Sequence, residues 1–423
     1  MSKLNKLIQE LCPNGVEYRK LGEVCEFVNG FAFKSNLFRE DGDKIIRITN
    51  INGRTIDIDD IKYFHKEDYK AELRQFVVKK GDILIAMSGA TTGKIGYYNY
   101  DDVSYLNQRV GKFKPNDKVL LNRYLYHILL ANTGALYILA GGGAQPNLSS
   151  TKLMDTFPIP LPPLPIQEEI VKILDRFAEY TAELQAELQA RQEQYEYYRN
   201  LLLTNNFAYG SADDKQKSGA NARDGWKWMT LGEVGTFIRG NGLQKKDFTE
   251  SGVPCIHYGQ IYTYYGTSTE KTKSFCSPDL AKKLTRVRKG NLIIACTSEN
   301  IEDVCKAVVW LGDDEIVTGG HAYVFTHNEN PKYISYFFQT EAFFKQKKKY
   351  ARGAKVIDIK ISDLEKIQIP LPPLAEQERI VSILDKFEAL VSDLTQGLPA
   401  EIAASQERYE YYRDKLLKFE RCN

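Results

Sequence analysis

The sequence lacks the patterns that mark disulfide-rich, metal-binding and membrane-spanning proteins. Its 423 residues include seven cysteines, an odd number, and no two of them form a CxxC pair. We therefore expect neither a disulfide framework nor a cysteine-based zinc site, and we predict a reduced, cytoplasmic protein. The most apolar stretch, residues 124–140, is interrupted by His127, Asn132 and Gly134 and is too short to span a bilayer.

Catalytic patterns and a strong charge bias are also missing. The formal net charge is only +2, so any nucleic-acid-binding surface must be sought locally. The stretch Gly89–Lys94 resembles a phosphate loop, but three residues instead of four separate its glycines, and an isoleucine follows the lysine. The five histidines contain no pair at ligand spacing, and no glycine motif is placed as in a cofactor-binding methyltransferase core. The sequence predicts no catalytic residue, no metal site and no cofactor in this chain.

The most informative feature that is present is an internal duplication. Residues 159–177, IPLPPLPIQEEIVKILDRF, return at 369–387 as IPLPPLAEQERIVSILDKF, with 14 of 19 positions identical. The tetrapeptide LGEV at 21–24 returns at 231–234 with the same offset of 210 residues. A module that is repeated with unlike loops predicts two different recognition surfaces on equivalent frameworks.

The chain is too long for a single core, and the duplication resolves it into domains and connectors. Short runs of β-branched and aromatic residues, separated by Gly, Asn and Asp, make both repeats strand-rich, with one helix expected at 122–139. The predicted fold class is therefore α+β. We predict a first β-rich domain with a short N-terminal helix at 1–158, a helical spacer at 159–204, a flexible linker at 205–224, a second β-rich domain at 225–368 and a second helical spacer at 369–423.

Both spacers carry a heptad pattern of apolar and aromatic residues. The pattern is uninterrupted in the first spacer, whereas the second has a stutter at residues 397–399, where Pro399 predicts a kink or break. The predicted helix-pairing seam consists of Ile170, Leu174, Phe177, Leu184, Leu188, Tyr195, Tyr198, Ile380, Leu384, Phe387, Leu394, Tyr409 and Tyr412. Antiparallel pairing of the two spacers as coiled-coil helices would place the β-rich domains in a pseudo-two-fold arrangement. The alternative is that each spacer packs against another chain or a copy of itself.

Several landmarks occur in a fixed order. They are LGEV at 21–24, KGDILIAMSGATTGKIG at 80–96, LNQRVGKF at 106–113, GGGAQPNL at 141–148 and the PLPPL entry to each helical spacer. In this order and duplication, the chain resembles the specificity subunits of type I restriction-modification systems over essentially its whole length. The second repeat departs from the pattern, with SENIEDVC in place of GATTGKIG and Gly319–His321 in place of Asn107–Arg109. Such divergence is expected if the two repeats recognise different half-sites.

The resemblance implies a non-catalytic subunit in which two target-recognition domains each bind half of a split sequence in double-stranded DNA. The helical spacers would set the gap between the half-sites. The resemblance also implies assembly with two methyltransferase subunits, which use S-adenosylmethionine to methylate adenine, and with restriction motor subunits that use ATP and Mg²⁺. A rival hypothesis is a coiled-coil scaffold whose globular domains bind protein or carbohydrate. A third, a nuclease or methyltransferase acting alone, is disfavoured by the missing catalytic motifs.

DNA-binding candidates in the first domain are polar or basic residues in turns after predicted strands, where side chains can contact phosphates or base edges. The candidates are Lys34, Ser35, Arg47, Thr49, Asn50, Asn52, Ser88, Thr91, Thr92, Lys94, Asn107, Gln108, Arg109, Gln145 and Asn147. Asn50 and Asn107 have an alternative role in satisfying turn backbones, and the segment 88–94 has a purely structural hairpin turn as its alternative.

Candidates in the second domain lie mainly in a polar and aromatic stretch at 257–265 and in a basic tract at 345–355. A glutamine such as Gln260 can pair with adenine through two hydrogen bonds. The candidates are Arg239, Lys245, His257, Tyr258, Gln260, Tyr262, Tyr264, Thr297, Ser298, Asn300, His321, Lys348, Arg352 and Lys355. Alternating tyrosines are also common in strands, and the basic tract is also compatible with a solvated helix face.

Overall fold

The computed structural model describes residues 3–143, 146–204, 226–393 and 396–422. The chain forms two compact units, one comprising Met1–Gln185 with Glu401–Asn423 and the other Ala186–Ala400. Each unit therefore combines one β-rich domain with a part of each helical spacer. The predicted linker at 205–224, the DNA-binding candidate Gln145 and the seam candidate Leu394 lie outside the described residues.

The first unit carries its strands in three sheets. Along the chain its elements are α1 (Lys3–Leu11), β1 (Tyr18–Lys20), α2 (Leu21–Val24), β2 (Cys25–Asn29), β3 (Asp43–Ile46), β4 (Lys62–Phe64), β5 (Val77–Val78), β6 (Ile83–Ala86), β7 (Ile95–Tyr97), β8 (Ser104–Leu106), β9 (Val110–Pro115), α3 (Asn122–Ala131), α4 (Thr133–Leu139), α5 (Ser150–Thr156), β10 (Pro158–Pro160) and the start of α6 (Leu164–Thr204). The sheet orders are β2-β9-β6-β7, β4-β3-β8-β5 and β1-β10. The β3–β8 pair is parallel, and its neighbours in that sheet are antiparallel.

Strand β6 lies between two apolar cores. Ile83 and Ile85 belong to the core that also contains α3, whereas Leu84 and Ala86 belong to the core between the two four-stranded sheets. Side chains alternate in direction along a strand, so a strand that is buried on both faces needs an apolar residue at every position. This explains the continuous ILIA run in the sequence.

The second unit repeats this order of elements with additional short strands. Its elements are β11 (Lys227–Thr230), α7 (Leu231–Val234), β12 (Gly235–Arg239), β13 (Phe248–Thr249), β14 (Val253–Ile256), α8 (Tyr258–Thr263), β15 (Ser268–Thr269), β16 (Ser274–Cys276), α9 (Pro278–Ala281), β17 (Thr285–Val287), β18 (Leu292–Ala295), β19 (Thr297–Ser298), β20 (Ala307–Trp310), β21 (Ile316–Thr318), β22 (Ala322–His327), α10 (Pro331–Phe337), α11 (Glu341–Lys347), β23 (Ile357–Asp358), α12 (Ile361–Leu364), β24 (Gln368–Leu371) and α13 (Leu374–Ser392). Helix α14 (Leu398–Leu416) begins at the end of this unit and continues in the first.

The sheets of the second unit correspond to those of the first. Their orders are β12-β22-β18-β20-β15, β13-β16-β14-β21-β17, β11-β24 and β19-β23. Strand β18 takes the place of β6, because Leu292 and Ile294 face one core and Ile293 and Ala295 face the other. Two β-rich domains with associated helices confirm the predicted α+β fold class.

A buried glutamine at the start of each spacer helix explains one duplicated landmark. Gln167 accepts a hydrogen bond from the Leu121 backbone N–H at 2.9 Å and donates to the Pro162 carbonyl at 2.8 Å. Gln377 accepts from the Asn330 backbone N–H at 3.0 Å and donates to the Pro372 carbonyl at 2.9 Å. Buried backbone groups that lack a regular partner need such side chains. Each glutamine therefore ties the proline-rich entry to the adjoining domain.

Helix pairing can be described within each unit. In the first, Thr181 Oγ1 lies 2.8 Å from Ser405 Oγ, and Phe177 stacks on Tyr412, so α6 and α14 run antiparallel. In the second, Tyr195 and Tyr198 of α6 both stack against Phe387 of α13. Of the remaining seam candidates, Ile170, Leu174, Leu184, Ile380, Leu384 and Tyr409 are buried and Leu188 is half-buried. The spacers thus contact each other within the chain, and Tyr412 alone among the described candidates is classed as exposed.

Two helix boundaries refine the sequence-based predictions. Helix α13 ends at Ser392 and α14 begins at Leu398, in agreement with the break predicted from the stutter and Pro399. The single helix predicted at 122–139 is wrong, because α3 and α4 are separated at Asn132. The Asn132 side chain donates to the Ile128 carbonyl at 2.8 Å, and its backbone departs from helical geometry. Side-chain competition of this kind is typical of asparagine at helix ends.

Candidate nucleic-acid interface

Four turns of the first β-rich domain meet at one surface, which we call the first loop cluster (residues 47–53, 88–94, 107–109 and 146–147). The Asn107 backbone N–H donates to the Ile46 carbonyl at 3.1 Å. Thr91 Oγ1 donates to the Ile48 carbonyl at 3.1 Å, and the Gly89 N–H donates to the Pro146 carbonyl at 3.3 Å. The structure therefore brings together segments that are up to about 100 residues apart in sequence.

Apart from Ala90, the exposed members of this cluster are polar or basic. Lys94 and Arg109 are exposed, and no ion pair holds either of them within the described part of the chain. Thr49, Gln108 and Asn147 are exposed beside them. Unpaired cations can contact phosphates, and the uncharged donors and acceptors beside them can contact base edges. This composition suits a surface that binds nucleic acid.

Several candidates in the first loop cluster instead stabilise its turns. The buried Asn50 accepts from the Arg47 N–H at 2.9 Å and donates to the Asp57 carbonyl at 3.0 Å. The structure thus supports its alternative role in satisfying the turn backbone. The exposed Asn52 accepts from the Thr55 N–H at 2.8 Å, and the buried Thr92 donates to the Gly89 carbonyl at 2.7 Å.

Three further candidates are constrained in other ways. Arg47 is half-buried and bonded to Asp60 at 3.1 Å, so it is not a free cation, and hydrogen bonds from Lys62 and Arg47 lower the pKa of Asp60. Lys34 and Ser35 are exposed but lie on a separate turn, where the Lys34 backbone N–H donates to the Tyr69 hydroxyl at 3.0 Å.

The second β-rich domain has an equivalent surface, the second loop cluster (residues 257–260, 297–298 and 319–321). The Cys296 N–H donates to the His321 carbonyl at 2.9 Å, and Thr297 Oγ1 lies 3.1 Å from His321 Nδ1. The rings of Tyr258 and His321 are 5.1 Å apart between centroids. Lys245 is exposed and approaches this cluster, with its Cε 4.0 Å from the position that a Cβ would take on Gly259.

Three candidates in the second domain have partners within the domain, so their side chains are already used in its turns. Gln260 accepts from the His257 N–H at 3.0 Å and donates to Ser274 Oγ at 2.7 Å, so it caps the start of α8. His257 is buried and accepts from the Gly259 N–H at 3.1 Å. Burial, followed by the charges of Lys245 and His321, lowers the pKa of His257. Asn300 caps its own turn by accepting from the Asp303 N–H at 2.7 Å.

The tyrosines and Ser298 divide between structural and exposed positions. Tyr262 donates to the Thr297 carbonyl at 2.5 Å, and burial raises its pKa. Tyr264 is 57% exposed, and Lys273 Nζ lies 4.5 Å from its ring centroid. Ser298 is half-buried and accepts from the Asn300 N–H at 3.4 Å. The stretch at 257–265 therefore forms a turn and a short helix, not a strand.

The predicted basic tract is not one continuous surface. Lys347 is only 4% exposed and donates to the Glu302 and Val304 carbonyls at 2.8 and 2.7 Å. Burial lowers the pKa of Lys347. Arg352 is exposed but bonded to Asp363 at 3.2 Å, whereas Lys348 and Lys355 are exposed without an ion pair among the described residues. Lys348 and Lys355 therefore remain free for phosphate contact.

Arg239 is the last residue of β12. It lines a cavity of about 320 Å³ together with Thr297, Asp358, Lys360 and Ser362. Nowhere among the described residues do three or more His, Cys, Asp or Glu side chains form a group that could hold a metal ion. No helix in the described ranges is both long enough and apolar enough to cross a membrane.

Two glycines that the sequence analysis did not select allow the same close backbone approach in each loop cluster. A Cβ on Gly30 would lie 2.0 Å from the Asn107 carbonyl oxygen, and a Cβ on Gly240 would lie 1.9 Å from that of Gly319. No side chain fits such an approach. The sequence could have indicated these glycines, because they are separated by the repeat offset of 210 residues. The backbone frame is thus duplicated, while the exposed side chains on it differ.

The comparison with known families follows this duplication. Residues 13–194 and 223–404 each match the model of the type I restriction modification DNA specificity domain. The chain belongs to this family. It is therefore a specificity subunit. In type I restriction-modification systems, this subunit recognises DNA and is not catalytic.

Two relatives show the extent of the similarity. A putative type I restriction enzyme specificity subunit of Haemophilus influenzae is 31% identical over 446 residues, which cover 98% of both chains. A type I restriction enzyme specificity subunit of Escherichia coli is 31% identical over 319 residues, which cover 72% of both chains. The match to the first relative spans both repeats and both helical spacers of this specificity subunit.

Two solved structures share the fold. One is a chain from a structural study of complex assembly and conformational transition in the type I R-M system. It aligns with a TM-score of 0.58 and 20% identity, over 96% of this chain and 98% of its own length. The type I S subunit from M. genitalium aligns with a TM-score of 0.52 and 14% identity, over 95% and 96%. At these identities the comparison supports the architecture and not individual contacts.

Proposed function

We propose that this specificity subunit binds a split target in double-stranded DNA, with each loop cluster contacting one half-site. The observation that carries the proposal is the duplicated frame with unlike exposed residues. Equivalent turns place Arg109 in one domain and His321 in the other, on backbones held by equivalent hydrogen bonds. Two different sets of side chains on one frame are suited to two different half-sites.

Electrostatics supports duplex binding by local patches. Lys94 and Arg109 lie in the first loop cluster, and Lys245 adjoins the second. Each lysine or arginine that contacts a phosphate releases condensed counterions, so binding should weaken as salt increases. A net charge of +2 for the whole chain is compatible with this, because the cations that matter are concentrated at the two clusters.

The helical spacers are proposed to set the gap between half-sites. Helix α6 runs without interruption from Leu164 to Thr204 and contributes residues to both compact units. Its 41 residues correspond to ~60 Å at 1.5 Å per residue. A continuous helix with buried seam residues resists bending better than a loop, which suits a spacer.

Assembly with catalytic partners completes the proposal. Two methyltransferase subunits would supply S-adenosylmethionine-dependent adenine methylation, and restriction subunits would supply ATP-driven, Mg²⁺-dependent action on DNA. The repeated module is suited to two copies of one partner, because equivalent parts of the two spacers offer equivalent surfaces. The specificity subunit itself would contribute target choice.

A binding experiment tests this function. The purified chain is incubated with random DNA fragments, with and without its cognate methyltransferase subunit, and binding is measured across a range of salt concentrations. We expect tight binding only in the complex, with an affinity that falls as salt increases. Absence of any partner-dependent DNA binding would favour the scaffold hypothesis.

A further inference from the structure

Arg109 and His321 hold the same position in the two repeats. The Met87 N–H donates to the Arg109 carbonyl at 2.9 Å, and the Cys296 N–H donates to the His321 carbonyl at 2.9 Å. Each residue directly precedes an inner strand of its sheet, β9 or β22. The same backbone frame therefore presents an arginine in one domain and a histidine in the other.

Next to this position, each repeat has an equivalent residue with a hydroxyl group, but the contacts of the two hydroxyls differ. Ser88 follows Met87, and Thr297 follows Cys296. Thr297 Oγ1 lies 3.1 Å from His321 Nδ1, which fixes the imidazole and leaves Nε2 without a partner among the described residues. Ser88 Oγ is buried and has no hydrogen-bond partner in the described part of the chain. A buried polar group of this kind calls for a ligand or another explanation.

The backbone of His321 is held in an unusual conformation. Its φ is 64°, in the left-handed region that side-chain-bearing residues rarely adopt. Such conformations persist where the surroundings enforce them, and they cluster at binding sites. His321 is nonetheless exposed, with a tilted contact to Tyr258 on one side.

Three other polar candidates near His321 are already occupied. His257 and Gln260 bond to the turn that contains them, and Asn300 caps the next turn. Lys245 adjoins the cluster but carries a charge suited to phosphate contact. His321 Nε2 therefore remains as an exposed, oriented atom that can accept or donate a hydrogen bond.

We propose that His321, oriented by Thr297, contacts a base edge of the second half-site, and that Arg109 contacts a base of the first half-site. This deepens the proposed function and rests on it. The arginine fork matches O6 and N7 of guanine, so Arg109 selects guanine. The imidazole offers one free nitrogen, so His321 forms a single hydrogen bond and discriminates less strongly.

The test measures base preference at every position of both half-sites. The chain is assembled with its cognate methyltransferase subunits, and the complex selects from duplexes randomised in both half-sites. His321→Asn is the main variant, because asparagine tolerates the left-handed backbone. We expect it to weaken the preference at one base pair of the second half-site by about tenfold or more, with the first half-site unchanged. Thr297→Val should weaken the preference at the same base pair less strongly.

Arg109→Ala and His65→Asn complete the design. Arg109→Ala should remove a guanine preference from the first half-site alone. His65 is a half-buried histidine of the first unit that pairs with Asp41 outside the first loop cluster, so His65→Asn should leave both half-sites unchanged. Thermal unfolding of each complex reports whether the variants fold, and His321→Gly replaces His321→Asn if that variant unfolds, because glycine accepts the same φ.

The proposal is overturned if a folded His321 variant leaves both half-sites unchanged, alters the first half-site, or weakens binding to all sequences equally. A uniform loss would indicate phosphate contact or a structural role instead of base contact. A wild-type complex that selects no split sequence would instead contradict the proposed function itself. The two failures are therefore distinguishable in one experiment.

Discussion

Phe177 stacks on Tyr412, with ring centroids 5.2 Å apart and ring planes inclined by 17°. The two residues lie on α6 and α14 and belong to the same compact unit. This contact joins the first helical spacer to the second and packs beside a core that includes Ile170 and Leu174. The two spacers thus pair within each unit, and the residues that pair are those that the heptad pattern predicts.

Truncation of this seam should destabilise the protein. Leu174 is fully buried, so Leu174→Ala should lower the free energy of unfolding by about 3 kcal/mol through lost burial and a cavity. Tyr197→Ala is the matched control, because Tyr197 is on the same helix and 62% exposed, and its effect should stay within about 0.5 kcal/mol. Denaturant titration measures both. Equal effects of the two variants would show that the seam does not hold the helices.

The turn-capping amides should affect stability and not target choice. Asn50→Ala and Gln260→Ala each leave a backbone N–H without its partner, which should cost about 1–3 kcal/mol of stability. Asn50→Asp keeps the acceptor oxygen and should cost less. Thermal unfolding and half-site preferences are measured for each. A folded variant with a changed half-site would restore these residues as base contacts.

Lys94 should contribute to affinity independently of sequence. Lys94→Ala should weaken DNA binding by the complex about equally for all sequences and reduce the slope of log K against log salt by about 0.9. Lys118→Ala, an exposed lysine outside the first loop cluster, is the control and should leave the slope unchanged. Binding isotherms at several salt concentrations decide the matter. A change in base preference would mean that Lys94 contacts a base instead.

His327 should make stability depend on pH. Burial lowers its pKa to about 4, below the ordinary value of 6.5, so the unfolded chain binds a proton more readily than the folded one. The stabilising effect of the neutral ring is complete above the unfolded pKa and is lost as pH falls toward the folded pKa. Between pH 7 and 5 this should remove about 2 kcal/mol of stability.

The control for this pH dependence uses His327→Gln, which keeps an acceptor for the Glu329 N–H. Its stability should change less with pH over the same interval than that of the unmodified protein. His65→Gln, at a half-buried histidine, should behave like the unmodified protein. An unchanged pH dependence in His327→Gln would show that other groups are responsible.

Lengthening α6 should lengthen the gap between half-sites. Residues 181–188, TAELQAEL, contain nearly a tandem four-residue repeat, and one more QAEL unit would add ~6 Å to the helix. The gap should then increase by about 1–2 base pairs at ~3.4 Å per base pair, with both half-sites unchanged. Gln185→Ala keeps the length and should keep the gap. Altered half-sites with an unchanged gap would refute the spacer role.

The sequence alone predicted the features that local periodicity and duplication determine. The repeat at 159–177 and 369–387 located both helical spacers, and the heptad pattern selected buried residues such as Leu174 and Leu384. The break near Pro399 followed from backbone chemistry. These features depend on neighbours three or four positions away, which a single sequence displays.

The DNA-binding candidates were less predictable, because the use of a polar side chain depends on tertiary contacts. Asn50 and Gln260 have the chemistry for base contact, yet the folded turns occupy them. Lys347 is in a basic tract but lies four positions after the buried Phe343, on the packed face of α11. The contact between Thr297 and His321, which orients the imidazole, joins residues 24 positions apart and is not visible in the sequence.

The most direct test of the central claim is to map methylated adenines in genomic DNA from cells that express this chain with its cognate methyltransferase subunits. The account predicts a single split target with two specified parts and a gap of fixed length. Methylation at one continuous sequence, or without any sequence preference, would contradict it.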